Sequence, residues 1–277
     1  MELYDETCFE TSKLITKKYS TSFSKGIAAF HPRFRYPIYS IYGFVRFADE
    51  IVDTFHTQDK QKLLDDFEKE AFDTIDKKIS LNPILQSFQI TVNHYQIDRE
   101  LIRCFLKSMG MDIDKATFNE SEYKSYIHGS AEVIGLMCLR VFCEGDDELY
   151  NQLAPSAKSL GSALQKINFL RDIKADHKER SRIYFPGISF EVFTDQTKKQ
   201  IEADIQHDFD EGFKGIKALP HGARLGVYIA YQYYLSLFKK IVNTSAETIL
   251  QKRIRISNGD KVLLYCKAVL QHKLGLI

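Results

Sequence analysis

Four aspartates define the chemistry this chain can do. Asp49 and Asp53 close the run R-F-A-D-E-I-V-D (residues 46–53), and Asp172 and Asp176 close N-F-L-R-D-I-K-A-D (residues 168–176). Side chains three and four apart share one face of a helix. Tyr42, Arg46, Asp49 and Asp53 step by four, three and four, and Gln165, Asn168, Asp172 and Asp176 by three, four and four, so each set forms one polar stripe. Like charges at i, i+4 repel by roughly 0.2–0.5 kcal/mol even in water. The first pair extends an uncharged run, P-I-Y-S-I-Y-G-F-V (residues 37–45), where water is scarce and a positive partner is needed. The set holds none of the thiolates or imidazoles that zinc prefers. All-oxygen ligation suits Mg²⁺, with Mn²⁺ as its substitute, and Mg²⁺ completes its octahedron with water and substrate phosphate oxygens. If the two stripes face each other, a diphosphate bridged by several Mg²⁺ ions supplies the missing charge and a substrate together. One such pair alone is commonly a solvated face; two pairs, each aligned with further polar groups, favour a site.

Helical periodicity dominates the elements that must hold these stripes. It predicts helices at 5–18, 37–56, 59–78, 83–95, 98–109, 120–143, 147–177, 195–218, 222–243, 245–252 and 260–274. Pro37 and Pro83 suit first-turn positions, and Asn82-Pro83 and Gly145-Asp146 mark breaks. No repeat, low-complexity tract or Pro/Ser/Gly-rich linker divides the chain. The expectation is one all-α domain over residues 1–277, with a central cavity.

Composition narrows the partners. The 277 residues are 44% apolar and 27% charged, with a formal net charge of +1, as in an ordinary soluble protein. Binding to a phosphate backbone normally demands a basic excess, so nucleic acid is not expected. The five cysteines include no C-x-x-C pair and read as reduced thiols. The acidic start M-E-L-Y-D-E-T-C has no secretory character. The longest apolar candidate, Val133 to Cys143, is interrupted by Arg140 and too short to span a bilayer. A cytoplasmic protein is expected, with membrane contact at most peripheral. H-D-F-D-E-G (residues 207–212) lacks the EF-hand pattern and reads as a solvated helix face. Lys174, Lys178, Arg180 and Arg182 form either a solvated turn or an electrostatic lid.

The motifs together resemble the head-to-head prenyl synthases, the squalene and phytoene synthases, and most of all the bacterial phytoene synthases. Y-S-T-S-F-S (19–24) is similar to their serine-rich phosphate segment, and I-Y-G-F-V-R-F-A-D-E-I-V-D (41–53) to their first aspartate motif. Y-I-H-G-S-A-E-V-I-G (126–135) resembles their central helix. L-Q-K-I-N-F-L-R-D-I-K-A-D through R-I-Y-F-P (164–186) resembles the second aspartate motif, the most specific of the set. Y-Y-L-S-L-F-K-K-I (233–241) and K-R-I-R-I (252–256) fit their C-terminal helices. The first motif reads D-E-I-V-D where many relatives have a further Asp, Ala175 replaces a common Glu, and His128 and Glu132 charge a helix that is mostly small and apolar in the family.

The resemblance implies an enzyme that condenses two prenyl diphosphates through a cyclopropylcarbinyl diphosphate, with Mg²⁺ held by Asp49, Asp53, Asp172 and Asp176. It assigns Arg46, Arg171 and Arg253 to diphosphate contacts, because a guanidinium binds phosphate oxygens bidentately. Ser20 and Ser22 donate hydroxyls to the same group. Tyr42, Tyr126 and Tyr234 orient diphosphate or steer the cation, and Gln165 and Asn168 hydrogen-bond in the second half-reaction. Ile27 falls where some farnesyl-using relatives carry a bulkier aromatic, which points to geranylgeranyl diphosphate and phytoene, with no NADPH expected. Farnesyl diphosphate going to dehydrosqualene or squalene is the runner-up. A non-catalytic assembly factor is disfavoured because all four aspartates are present.

Overall fold

The computed structural model describes residues 2–114, 117–180 and 182–277. Helices account for nearly all of it, and no strand occurs among the described residues. In chain order they are α1 (Leu3–Tyr19), α2 (Thr21–Ala28), α3 (Pro32–Asp53), α4 (Lys60–Lys77), α5 (Pro83–Tyr95), α6 (Arg99–Asp114), α7 (Glu120–Ile127), α8 (Val133–Cys143), α9 (Asp147–Arg180), α10 (Asp195–Ala218), α11 (His221–Val242), α12 (Ala246–Gln251) and α13 (Asn258–Lys273). A π-helical turn, His128–Glu132, joins α7 to α8.

Local chemistry starts these helices. Asp59 accepts from the Lys62 amide at 2.9 Å and caps α4. Asn82 caps α5, with Pro83 in the first turn where no amide partner is needed. Asn119 and Glu122 form a capping box on α7. Several stretches differ from the periodic reading. The helix expected from Pro37 begins at Pro32, so Pro32 takes the first turn and Pro37 lies inside. The serine-rich segment is itself helical: Ser20 caps α2 by accepting from the Phe23 amide at 3.2 Å. The expected helix over 98–109 runs on to Asp114.

The expected continuous helix over 120–143 is interrupted by the π turn because its backbone lies almost against α6. A Cβ on Gly129 would stand 2.5 Å from the Cys104 carbonyl oxygen, closer than any side chain tolerates. The run Glu120–Cys143 is long and apolar enough to cross a membrane, yet most of its apolar window is buried inside the fold as a core helix. All five cysteines are unpaired.

Two apolar cores flank the middle of the molecule. One is built mainly from α3 to α6 and α8, the other mainly from α9 to α13. In the first, Phe44 stacks on Phe88 with centroids 3.9 Å apart and meets Phe105 at 5.7 Å. Phe44 and Ala48 bury the back of α3, which fixes its opposite face, that of Arg46, Asp49 and Asp53, toward the interior. Emptying that anchor leaves a cavity under α3. Phe44→Ala is expected to lose about 3–5 kcal/mol in urea unfolding, and a loss under about 1 kcal/mol would show that α3 is seated by other contacts.

Candidate functional site

Between the two cores lies a cavity of about 640 Å³. All eight stripe residues line it: Tyr42, Arg46, Asp49 and Asp53 from α3, and Gln165, Asn168, Asp172 and Asp176 from α9. Helices more than a hundred residues apart in sequence therefore present their polar faces to one space. Ser20, Ile27, Tyr126, Arg171, Tyr234 and Arg253 also line it. Ser22 does not. The cavity face of α2 is Phe23, Gly26 and Ile27, and Ser22 precedes Phe23 by one residue, a rotation of about 100° that turns it off that face.

The cations and carboxylates are already paired. Arg171 chelates Asp172, with Nε at 3.0 Å and Nη2 at 2.5 Å, and Arg253 Nε reaches the same carboxylate at 2.6 Å. Lys174, one turn of α9 away from Arg171, donates to the Gln251 carbonyl and ties α9 to the segment carrying Arg253. Arg46 bonds Glu50 and stands 3.6 Å from Asp49, its guanidinium 4.3 Å from the Tyr19 ring centroid. Its Nε is buried without a hydrogen-bond partner. Burial pushes the Asp49 carboxyl up to about 7, Arg46 pulls it down, and Asp53, Asp112 and Glu50 push it up again. Burial likewise raises the Tyr42 hydroxyl to about 12.

A polar chain runs along the α9 side. Tyr234 Oη donates to Asn168 Oδ1, Asn168 Nδ2 to Gln165 Oε1, and Gln165 Nε2 to Ser130 Oγ, each at 3.3 Å. Phe23 lies between Tyr42 and Tyr234, 6.0 and 6.1 Å from their centroids. Apolar and small residues, among them Ile41, Ile134, Gly135, Ala157, Gly161 and Gly226, complete the wall.

Among the described residues, no three His, Cys, Asp or Glu side chains are close enough to enclose an ion by themselves. Both stripes offer carboxylate oxygens to the cavity, with no thiolate or imidazole among their residues. Burial first, and then repulsion from Asp53, Asp112 and Glu50, hold the Asp49 carboxyl up, so its charged form is disfavoured in this structure.

Sequence reasoning missed Asp112. It lines the cavity from the last turn of α6, beyond the expected end at residue 109. Tyr126 Oη donates to its Oδ2 at 2.5 Å and Arg182 Nη1 to its Oδ1 at 2.7 Å, and Tyr184 Oη lies 3.2 Å from Oδ1. Burial raises this carboxyl, Arg182 and Tyr126 draw it down, and Asp53 adds repulsion. The available signal was the i, i+3 step from Met109 to Asp112, both of which face the cavity. Tyr126 is thus a partner of Asp112, and Arg182 is a buried tie between α6 and the segment after α9, neither solvated nor a lid. Lys178 is exposed, and the Arg180 side chain lies outside the described residues. His128 Nδ1 pairs with Glu132 Oε2 at 2.8 Å. Glu132 faces a separate depression of about 350 Å³ beside Lys166 and Asp204.

A family model for squalene/phytoene synthases matches residues 16–260. The chain is 29% identical to chloroplastic phytoene synthase 2 of Solanum lycopersicum, over 95% of its own length and 88% of that protein. It is 27% identical to phytoene synthase 1 of the same plant, over 95% of its own length but 66% of that protein, so it spans just under two thirds of that relative. A crystal structure of a dehydrosqualene synthase in complex with ligand superposes with a TM-score of 0.79 at 21% identity, covering 97% of this chain and 98% of that one; it shares the fold.

The Asp112 network yields an ordered prediction. Asp112→Asn takes the carboxylate from a guanidinium only 6% exposed and is expected to cost about 3 kcal/mol. Tyr126→Phe removes one hydrogen bond to a charged group, for about 1.5 kcal/mol. Urea unfolding of both variants would show the first loss exceeding the second, and equal or negligible losses would refute the network's role as a tie.

Proposed function

The chain belongs to the squalene/phytoene synthase family, and we propose that it condenses two prenyl diphosphates head to head. The observation that carries this is the meeting of two aspartate stripes at one cavity whose remaining wall is mostly apolar. The reaction needs that combination. Diphosphate leaves one allylic substrate with the electron pair of its C1–O bond, and the allylic cation left behind must be kept from water. The double bond of the second molecule attacks that cation, and loss of a proton closes a cyclopropylcarbinyl diphosphate. A second ionisation rearranges the ring and joins the two C1 carbons.

Asp49, Asp53, Asp172 and Asp176 would hold Mg²⁺, whose charge stabilises the departing diphosphate. Arg171 and Arg253 stand on Asp172 and are placed to turn their guanidinium forks onto phosphate oxygens, and Arg46 does the same from α3. Ser20 adds a hydroxyl at the same end. The rings of Tyr42, Phe23 and Tyr234 offer their faces to a nearby cation, each for on the order of 0.5–2 kcal/mol. Gln165 and Asn168, held in their hydrogen-bonded chain, orient the intermediate for the second ionisation. Tyr126 acts indirectly, by holding Asp112 beside the metal-binding carboxylates.

Within this chemistry we favour two geranylgeranyl diphosphates going to phytoene, a final proton loss that needs no NADPH. Similarity to the two plant phytoene synthases supports it, as does Ile27, a modest side chain on the cavity wall where an aromatic would shorten the space. Farnesyl diphosphate going to dehydrosqualene or squalene is the alternative.

The purified protein with Mg²⁺, given each diphosphate with and without NADPH, is expected to make a C40 triene from geranylgeranyl diphosphate regardless of NADPH. A C30 product would overturn the chain-length assignment, and no product from either would overturn the activity. Asp53→Asn and Asp172→Asn are each expected to lower kcat by roughly 10²-fold or more with helical circular dichroism unchanged; full turnover in both would sink the metal assignment. Ile27→Phe is expected to shift the kcat/KM ratio toward farnesyl diphosphate, and an unchanged ratio would remove Ile27 from the tunnel floor.

A further inference from the structure

Helix α13 packs on α11 and buries Ala268, with Leu264 and Tyr265 partly covered. Its other side carries an apolar stripe that nothing covers. Leu263, Leu270 and Leu274 are 69%, 57% and 64% exposed, and Val262 and Leu276 lie in the open beside them. Residues 263, 270 and 274 fall within about 40° of one another on a helix of 3.6 residues per turn, so the leucines form a ridge. Exposed Lys273 and Lys267 flank it on either side.

The C-terminal segment that carries this ridge is lopsided in charge. Residues 239–277 hold eight Lys and Arg against two Asp and Glu, a formal +6, whereas the whole chain is only +1. The remaining 238 residues are therefore net −5. Lys267 and Lys273 beside a leucine ridge, on a C-terminal segment of net positive charge, match the surface of an anionic bilayer, where the leucines enter the acyl boundary and the lysines meet headgroup phosphates. A second copy of the chain fits worse, because ridge-to-ridge pairing would set Lys267 and Lys273 of one copy against those of the other. The α13 first turn also lies close to the cavity, with Lys261 beside Lys25 of α2 and Arg171 of α9.

We propose that α13 is the surface by which this protein docks on anionic membranes, its leucine ridge lying in the interface plane. In so far as it concerns product, this rests on the proposed function: a C30 or C40 hydrocarbon bears no polar group and has no aqueous destination, so a reaction that consumes it must take it from a bilayer.

The chain contains no Trp, so Leu270→Trp gives a single reporter on the ridge. With phosphatidylcholine vesicles containing phosphatidylglycerol, its emission is expected to shift to the blue, with little shift on phosphatidylcholine alone and reversal at high salt. Ala203→Trp on the exposed face of α10 is expected not to shift. In co-sedimentation, a triple Leu263→Ser, Leu270→Ser, Leu274→Ser variant is expected to bind anionic vesicles at least tenfold more weakly, while turning over detergent-dispersed substrate like the parent. Equal vesicle binding by parent and triple variant would overturn the proposal. So would an unshifted Leu270→Trp spectrum, or a lipid-free dimer that the triple substitution dissociates. Vesicle binding lost in the triple variant of a protein that makes no prenyl product would uphold the surface and refute the activity. An active enzyme indifferent to vesicles would do the reverse.

Discussion

Carboxylates cannot be gathered in a poorly hydrated cavity unless cations come with them. At an effective dielectric of about 20, two like unit charges 4 Å apart repel by about 4 kcal/mol, a large part of a domain's whole stability. This constraint explains what surrounds the two aspartate stripes. Asp172 is gripped by two guanidinium groups, Arg46 stands between Glu50 and Asp49, and Arg182 neutralises Asp112 from below. Asp49 is half-buried, with Arg46 3.6 Å away, and its carboxyl is pushed to about 7. The site is thus a network of paired charges rather than a cluster of bare carboxylates.

The scaffold answers a second demand, that the two stripes keep their separation. Helix α9 runs 34 residues and carries its entire stripe on one rigid rod. It is tied to α12 by Lys174, and to α10 by buried Lys166, which bonds Asp204 and Asp208. The Asp112 network does the corresponding work across the cavity, joining α6 to α7 through Tyr126 and to the segment after α9 through Arg182 and Tyr184. The rings of Phe118, Tyr126, Phe169 and Tyr184 pack around this junction, Phe169 stacking on Tyr184 at 3.9 Å. Polar specificity and aromatic packing meet on the same side chains, so Tyr126 both fills space and holds a carboxylate.

The all-helical architecture and both stripes were legible in the sequence because each depends only on period, and period survives whatever the partner helix does. The interval 195–218 was read to the residue for the same reason. What period cannot express was lost. The π turn at 128–132 arises from the close approach of α6 to Gly129, a contact between distant segments. Helix α2 starts at a capping hydroxyl, Ser20, in a serine-rich segment for which the periodic reading set no helix. Asp112 escaped because a helix end was placed one turn too early, and its partner Arg182 lies seventy residues on, where only the tertiary fold could connect them.

The resting ion pairs also bear on the order of events in the proposed reaction. Arg171 and Arg253 are engaged with Asp172 before any ligand arrives. For them to grip a diphosphate they must leave that carboxylate, which is half-buried and would stand in the cavity without its cations. A diphosphate arriving alone could draw off the arginines only by leaving Asp172 bare. A metal arriving alone would find Asp172 already neutralised and would add charge beside two guanidinium groups. In the proposed reaction Arg171 and Arg253 would turn to phosphate oxygens while Asp172 would be left to hold the metal, so that neither charge stands without a partner. Within the proposed reaction, the pairing of both arginines with one carboxylate couples the arrival of the anion to that of its counter-cation.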